Sequence, residues 1–250
     1  MVETIQRTLK NQILQAMDPA DFARLVPVFE PVTLKLRDSL VEPQRRLSHA
    51  YFPEDALVSV VATTRDGHQT EVGIIGRDGF VDVAMIHGAD SSPLESFVQI
   101  AGTANRVPLA DLRTALEASP ALRTLLSRYA QCFLVQVSHT ALANATHTIE
   151  QRLARWLVMS QDRIDGPEVS MTHEFLSIML GVRRAGVTIA VQEIERRGLI
   201  KARRGILRIT DRGALEDLAG DSYGTPEAEY HRLLGFDFRT GAGSAATIAA

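Results

Sequence analysis

The sequence predicts an α+β chain in which a strand-rich first half, a long unbroken helix and a helix-turn-helix with a basic wing follow one another. Three observations carry that prediction. Short runs rich in Val, Ile and Leu recur between Val32 and Val107 with turn residues between them. Ser119-Pro120 opens a stretch, to about Asn144, with no further Pro and no Gly. From Thr172 to Ile209, two short apolar-faced helices flank Gly181, and two short strands then flank Arg203-Arg204-Gly205.

Composition bounds the rest. With 250 residues, 45% hydrophobic and 23% charged, the chain has ordinary globular usage, which argues against disordered, fibrous and membrane classes. No apolar run approaches the ~18 residues of a membrane span. Met1 to Gln15 mixes charged and apolar residues and lacks the apolar core of a secretory signal, so the expected location is cytoplasmic. Cys132 is the only cysteine, which excludes an internal disulfide and multi-cysteine zinc or iron–sulfur sites; between Tyr129, Phe133 and Val135 it reads as a small core residue. The net charge of −3 does not by itself point to a polyanion partner. From Glu150 to Arg212, however, twelve Lys/Arg meet eight Asp/Glu, a local +4 that leaves −7 for the remainder.

The first thirty residues have helical spacing. Asp18 suits an N-cap and Pro19 the first helical position, with Phe22, Leu25 and Val26 on the apolar face. The strand-like runs are Val32–Leu36, Ala56–Ala62, Thr70–Ile75 and Ser96–Ile100, with Arg65-Asp66-Gly67-His68 as a hairpin turn; strands this short suggest a sandwich or barrel-like domain. Helical spacing returns at Leu109. Ser119 and Pro120 cap the long helix, whose seam of Leu122, Leu126, Tyr129, Phe133, Val137 and Thr140 packs either on the chain's own body or on a second copy. Those six residues are the candidate dimer interface. A helix over 148–164 ends at Asp165-Gly166-Pro167. A short helix follows Gly213, then a weakly patterned tail in which Gly241–Ala246 is expected to be unstructured.

Thr172 caps a helix over His173–Leu180, and a second helix starts near Arg183 and runs to Arg197. In the second, Val187, Ala190, Val191 and Ile194 share one face, and Arg184, Thr188 and Gln192 lie four apart on another. This is the helix-turn-helix pattern, and the hairpin after Gly198 is its wing. Arg184 has the paired donors that match guanine O6 and N7, with Arg183, Thr188 and Gln192 as further base or phosphate contacts. Thr172 and His173 stand at a helix N-terminus suited to a phosphate, and Arg203 and Arg204 sit at the wing tip.

The run Thr172–Thr188 followed by Glu195-Arg196-Arg197-Gly198-Leu199-Ile200 resembles the DNA-binding segment of the Crp/Fnr regulators. The order of parts, with Gly76-Arg77-Asp78-Gly79-Phe80, extends the resemblance over nearly the whole chain. It implies a β-roll of the cyclic-nucleotide-binding type (a double-stranded β-helix or jelly roll) with flanking helices over 1–118, a dimerisation helix over 119–146, a winged helix-turn-helix over 147–220 and an extension over 221–250. The implied function is homodimeric, sequence-specific transcription regulation on an inverted repeat of double-stranded DNA, with RNA polymerase a further partner. The catabolite activator of this family is a standard example of such docking.

The departures from the family pattern are informative. Ala185 and Gly186 follow Arg184 where the family usually has Glu and Thr, so base preference should differ. Gly186 inside a helix costs about 1 kcal/mol and suggests a close backbone approach. In the β-roll, Val83 stands where relatives place a ribose-binding Glu, and Ser91–Ser96 holds no Arg but does hold Glu95. Cyclic AMP or GMP is therefore not expected; Val83 and Ser96 mark the candidate pocket for an unknown small effector. Dispersed histidines and carboxylates, and the lack of nucleophile or phosphate-loop motifs, lead us to expect no catalytic residues, no metal and no cofactor. The alternative to a DNA-binding regulator is a small-molecule-binding module that uses its helix-turn-helix for protein contact.

Overall fold

The computed structural model describes residues 2–81 and 83–238, so Gly241–Ala246 lies outside the described residues. Three short helices come first: α1 (Val2–Thr8), α2 (Gln12–Ala16) and α3 (Pro19–Leu25). The α3 cap is the expected one, with Asp18 accepting from the Ala20 N–H at 2.8 Å. Seven strands follow: β1 (Glu30–Leu34), β2 (Ser39–Val41), β3 (His49–Pro53), β4 (Leu57–Thr63), β5 (Gln69–Ile75), β6 (Glu95–Ile100) and β7 (Gly102–Pro108). They form two antiparallel sheets, ordered β1-β7-β3 and β2-β6-β4-β5. Val41, Val60, Ile75, Leu34, Val98 and Ala104 fill the roll.

Two helices lead out of the roll, α4 (Leu109–Ala118) and α5 (Pro120–Thr146). Ser119 caps α5 by accepting from the Leu122 N–H at 3.1 Å, and its hydroxyl donates to the buried Asp21 at 2.6 Å. The second half comprises α6 (Ile149–Gln161), β8 (Glu168–Ser170), α7 (His173–Met179), α8 (Arg184–Arg196), β9 (Ile200–Arg203), β10 (Ile206–Ile209), α9 (Arg212–Ala219) and α10 (Thr225–Leu234). Among the described residues, no helix is long and apolar enough to cross a membrane.

The seam assigned to a second chain is largely used within the first. Leu122, Leu126 and Tyr129 are 1%, 0% and 0% exposed, in one core with Ile13, Leu14, Phe22, Phe52, Phe80 and, from α10 and the turn after it, Tyr230, Leu234 and Phe236. The physical reason is α10, which returns across α5 and covers that face together with the N-terminal helices. Phe133 is half-buried against β5, where a Cβ on Gly73 would lie 2.8 Å from its ring; Val137 and Thr140 are half-buried. Cys132 is fully buried in this core, as its apolar neighbours suggest.

The two halves are packed together. Leu57 through Val61 of β4 are all buried, one side facing into the roll and the other covered by the second half. This explains an apolar run without alternation. On the covered side, Glu71 of β5 accepts from Ser59 Oγ at 2.6 Å and from Trp156 Nε1 of α6 at 3.0 Å. Phe97 meets Phe175 of α7 edge-on at 6.1 Å, and the Arg37 guanidinium lies 4.9 Å from the centre of the same Phe175 ring. The loop after β5 is held by Arg163, whose guanidinium bonds Asp78 at 2.8 Å with both side chains 1% exposed or less. Gly76 and Gly79 in that loop make room for this packing. A Cβ would sit 2.6 Å from Arg163 Cβ in the first case and 2.1 Å from the Tyr129 hydroxyl in the second.

Burial pushes Glu71 up from 4.5 to about 8, against hydrogen bonds from Ser59 and Trp156 and the attraction of Arg155 and Arg163. The folded chain therefore holds this proton more tightly than the unfolded chain. Its contribution to stability is full below about pH 4.5 and is lost as pH rises through about 8. Glu71→Gln, which keeps the shape and stays neutral, should flatten the fall in stability across that window, as measured by urea unfolding. An unchanged pH profile would contradict this.

Candidate nucleic-acid interface

The second half has its own core. Trp156 and Leu157 of α6, Phe175, Leu176 and Met179 of α7, Val187, Ala190, Val191 and Ile194 of α8, and Leu199, Ile200, Leu207 and Ile209 of the wing are all buried. The four α8 residues are the face expected from the sequence. Thr172 caps α7, accepting from the Phe175 N–H at 3.3 Å. Gly181 supplies the turn between the helices at φ +57. The wing pairs β8, β10 and β9 in that order, and its hairpin turns on Arg204 and Gly205, both with positive φ (32 and 82). That combination is the usual geometry of a two-residue hairpin.

Most of the expected contact residues are open to solvent, on α8 and at the wing tip. Arg183, Arg184, Gln192, Arg203 and Arg204 are exposed. Arg183 is the N-cap of α8 and makes no side-chain cap bond, while in the first turn the Gly186 N–H donates to the Arg183 carbonyl at 2.9 Å. Thr188 and His173 are half-buried and bonded to each other, His173 Nδ1 to Thr188 Oγ1 at 3.0 Å, while Thr188 also donates to the Arg184 carbonyl at 3.1 Å. That pair ties α7 to α8. The outer face of the wing adds Lys201 and Arg208, both exposed, with Arg208 3.9 Å from Glu168. Alternation along β9 and β10 was the signal for these two basic residues, since Ile200, Leu207 and Ile209 point inward.

Two features refine the sequence reading. Gly186 faces Ile149 of α6, whose Cδ1 would lie 3.1 Å from a Cβ there, so the close approach is between two helices of the same domain. At about 100° per residue, the side of α8 opposite its buried face carries Ala185, Ile189, Gln192 and Arg196, with Arg184 and Thr188 on one shoulder. Ile189 is 62% exposed, the highest value of the exposed large apolar side chains among the described residues. Position alone, four residues after Ala185 and away from Val187 and Ala190, would have found it.

In the β-roll, Val83 and Ser96 do line one cavity. It measures about 70 Å³ and is closed by Val41, Val60, Ile75, Leu94 and Phe133, with no charged side chain in its lining.

Residues 151–218 match the family of Crp-like helix-turn-helix domains. A search of the curated proteins finds no match. Among solved structures, the chain is similar to a protein from Eubacterium rectale assigned to the crp/fnr family of transcriptional regulators (13% identity, TM-score 0.65, 83% of this chain and 97% of that one). It is also similar to the FixK2 protein of Bradyrhizobium japonicum (14%, 0.64, 76% and 97%) and to a CRP/FNR-family transcriptional regulator of Thermus thermophilus (20%, 0.59, 77% and 100%). At these identities the likeness establishes the fold. The chain thus has the fold of these proteins and carries a Crp-like helix-turn-helix domain over residues 151–218.

Proposed function

We propose that the chain acts as a homodimer that binds an inverted-repeat DNA site through α8 and the wing, residues 147–220 binding DNA and residues 1–118 forming the sensor-like body. The observation that carries this reading is the exposure of Arg183, Arg184, Gln192, Arg203 and Arg204 on a Crp-like helix-turn-helix domain. Thr172, His173 and Thr188 support it from the helix ends and the α7–α8 contact.

The dimer seam is the opposite face of α5 from the one buried in the core. Thr124, Ser127, Gln131, Leu134, Ser138, Ala141 and Ala145 follow a 3–4 spacing and are exposed, and neighbouring Leu142 is 48% exposed. Phe133, Val137 and Thr140 flank this stripe. Pairing two such helices sets the recognition helices for half-sites about one turn apart, ~34 Å.

The β-roll cavity argues against a cyclic nucleotide and leaves room only for a much smaller effector. It is well below the ~300 Å³ of ordinary ligand pockets, and its uncharged lining offers a phosphate nothing to pair with.

Selection of bound sites from random duplex across a salt series tests the function, with a two-fold symmetric motif as the expected result. Absence of any such motif would overturn it. Arg184→Ala should cost about 1–3 kcal/mol per half-site and relax base preference at one position.

A further inference from the structure

The outermost stripe of α8 is not the polar one. Ala185 and Ile189 occupy successive turns on the side facing away from the core, next to Gln192. Isoleucine is a mediocre helix former, and Ile189, 62% exposed, joins none of the apolar clusters of the described residues. Helix propensity and domain packing therefore give no reason for it here.

Its position has a chemical reading. The N-terminal turns of a recognition helix meet base edges in the major groove. The one apolar group presented there is the C5-methyl of thymine, and the matching side chains are apolar. The adenine paired with that thymine presents N6 and N7, the pattern that a Gln amide matches with two hydrogen bonds. Gln192 lies one turn after Ile189 and is exposed. The two side chains together fit an A·T pair.

We propose that Ile189, with Ala185 one turn before it, determines specificity by seating against thymine methyl groups in each half-site, beside an adenine bound by Gln192. The proposal rests on the DNA-binding reading above and deepens it by naming what the helix prefers.

The test uses the full-length protein and its selected duplex, with each thymine replaced in turn by deoxyuridine, which removes only the methyl. Wild type is expected to bind about 4-fold more weakly when the recognised thymine of one half-site is replaced, and about 15-fold more weakly when both are. Ile189→Ala, a surface change whose folding is checked by its melting temperature, should bind the thymine and uracil duplexes within about twofold of each other. Ile189→Leu should restore most of the discrimination. Indifference of the wild type to every uracil replacement would overturn the proposal while leaving the DNA-binding reading intact, as would an Ile189→Ala variant that discriminates as strongly as wild type. If the wild type shows no sequence-dependent binding to any duplex, the underlying reading fails and the proposal fails with it.

Discussion

Asp78→Asn is expected to lower the unfolding free energy by about 3–5 kcal/mol, the cost of leaving one member of a buried ion pair unpaired. Arg163 is 1% exposed. Its guanidinium is held by Asp78 at 2.8 Å and by the Met159 carbonyl at 2.7 Å, and it lies 5.2 Å from the centre of the Phe238 ring. The other Asp78 oxygen accepts from the Gly76 N–H at 2.9 Å, so the pair is fixed from both sides. Removing the carboxylate strands a positive charge between the β-roll and α6. Asp78→Ala combined with Arg163→Met should recover part of the loss, because two apolar groups leave no charge behind. Urea unfolding of the three proteins checks this. A single-variant loss under about 1 kcal/mol would show that water or a neighbour takes the place of Asp78.

Two faces of α5 should respond in opposite ways. Tyr129→Ala empties a fully buried aromatic site, where Phe80, Phe133 and Tyr230 are ring neighbours, and should cost about 3–5 kcal/mol of protomer stability. Leu134→Arg changes a side chain that is 57% exposed, so protomer stability should stay within about 0.5 kcal/mol. Sedimentation of Leu134→Arg should nevertheless show the monomer, because two guanidinium groups would face each other across the proposed seam. A Leu134→Arg dimer as tight as wild type would place the interface elsewhere on the chain.

These two faces also show where the sequence was legible. Caps were legible because they are local: Asp18, Ser119 and Thr172 each accept from an N–H two or three residues on, as their types and positions suggest. The core face of α8 and the wing followed from period 3.6 and period 2 for the same reason. The seam of α5 was a correct apolar seam, and of the two partners left open for it the chain's own body covers Leu122, Leu126 and Tyr129. Periodicity reports that a face is covered but not by what, and the cover, α10, shows only a Pro226-Glu227 start signal after Gly224. Asp78 and Arg163, 85 residues apart, could not be paired from sequence at all. Ile189 escaped notice because only Arg184, Thr188 and Gln192 were read on the outward side of α8.

The C-terminal helix has a consequence for how the chain is made. Tyr230, Leu234 and Phe236 share a core with Ile13, Leu14 and Phe22, so the ends of the described chain meet inside it. A ribosome adding ~5–20 residues per second needs roughly 4–20 s to pass from the end of α5 to the end of α10. Throughout that interval the nascent β-roll carries an open apolar trench along Leu122, Leu126 and Tyr129. Closure of the principal core therefore waits until α10 has been made, and the groove that α10 fills stays open longest.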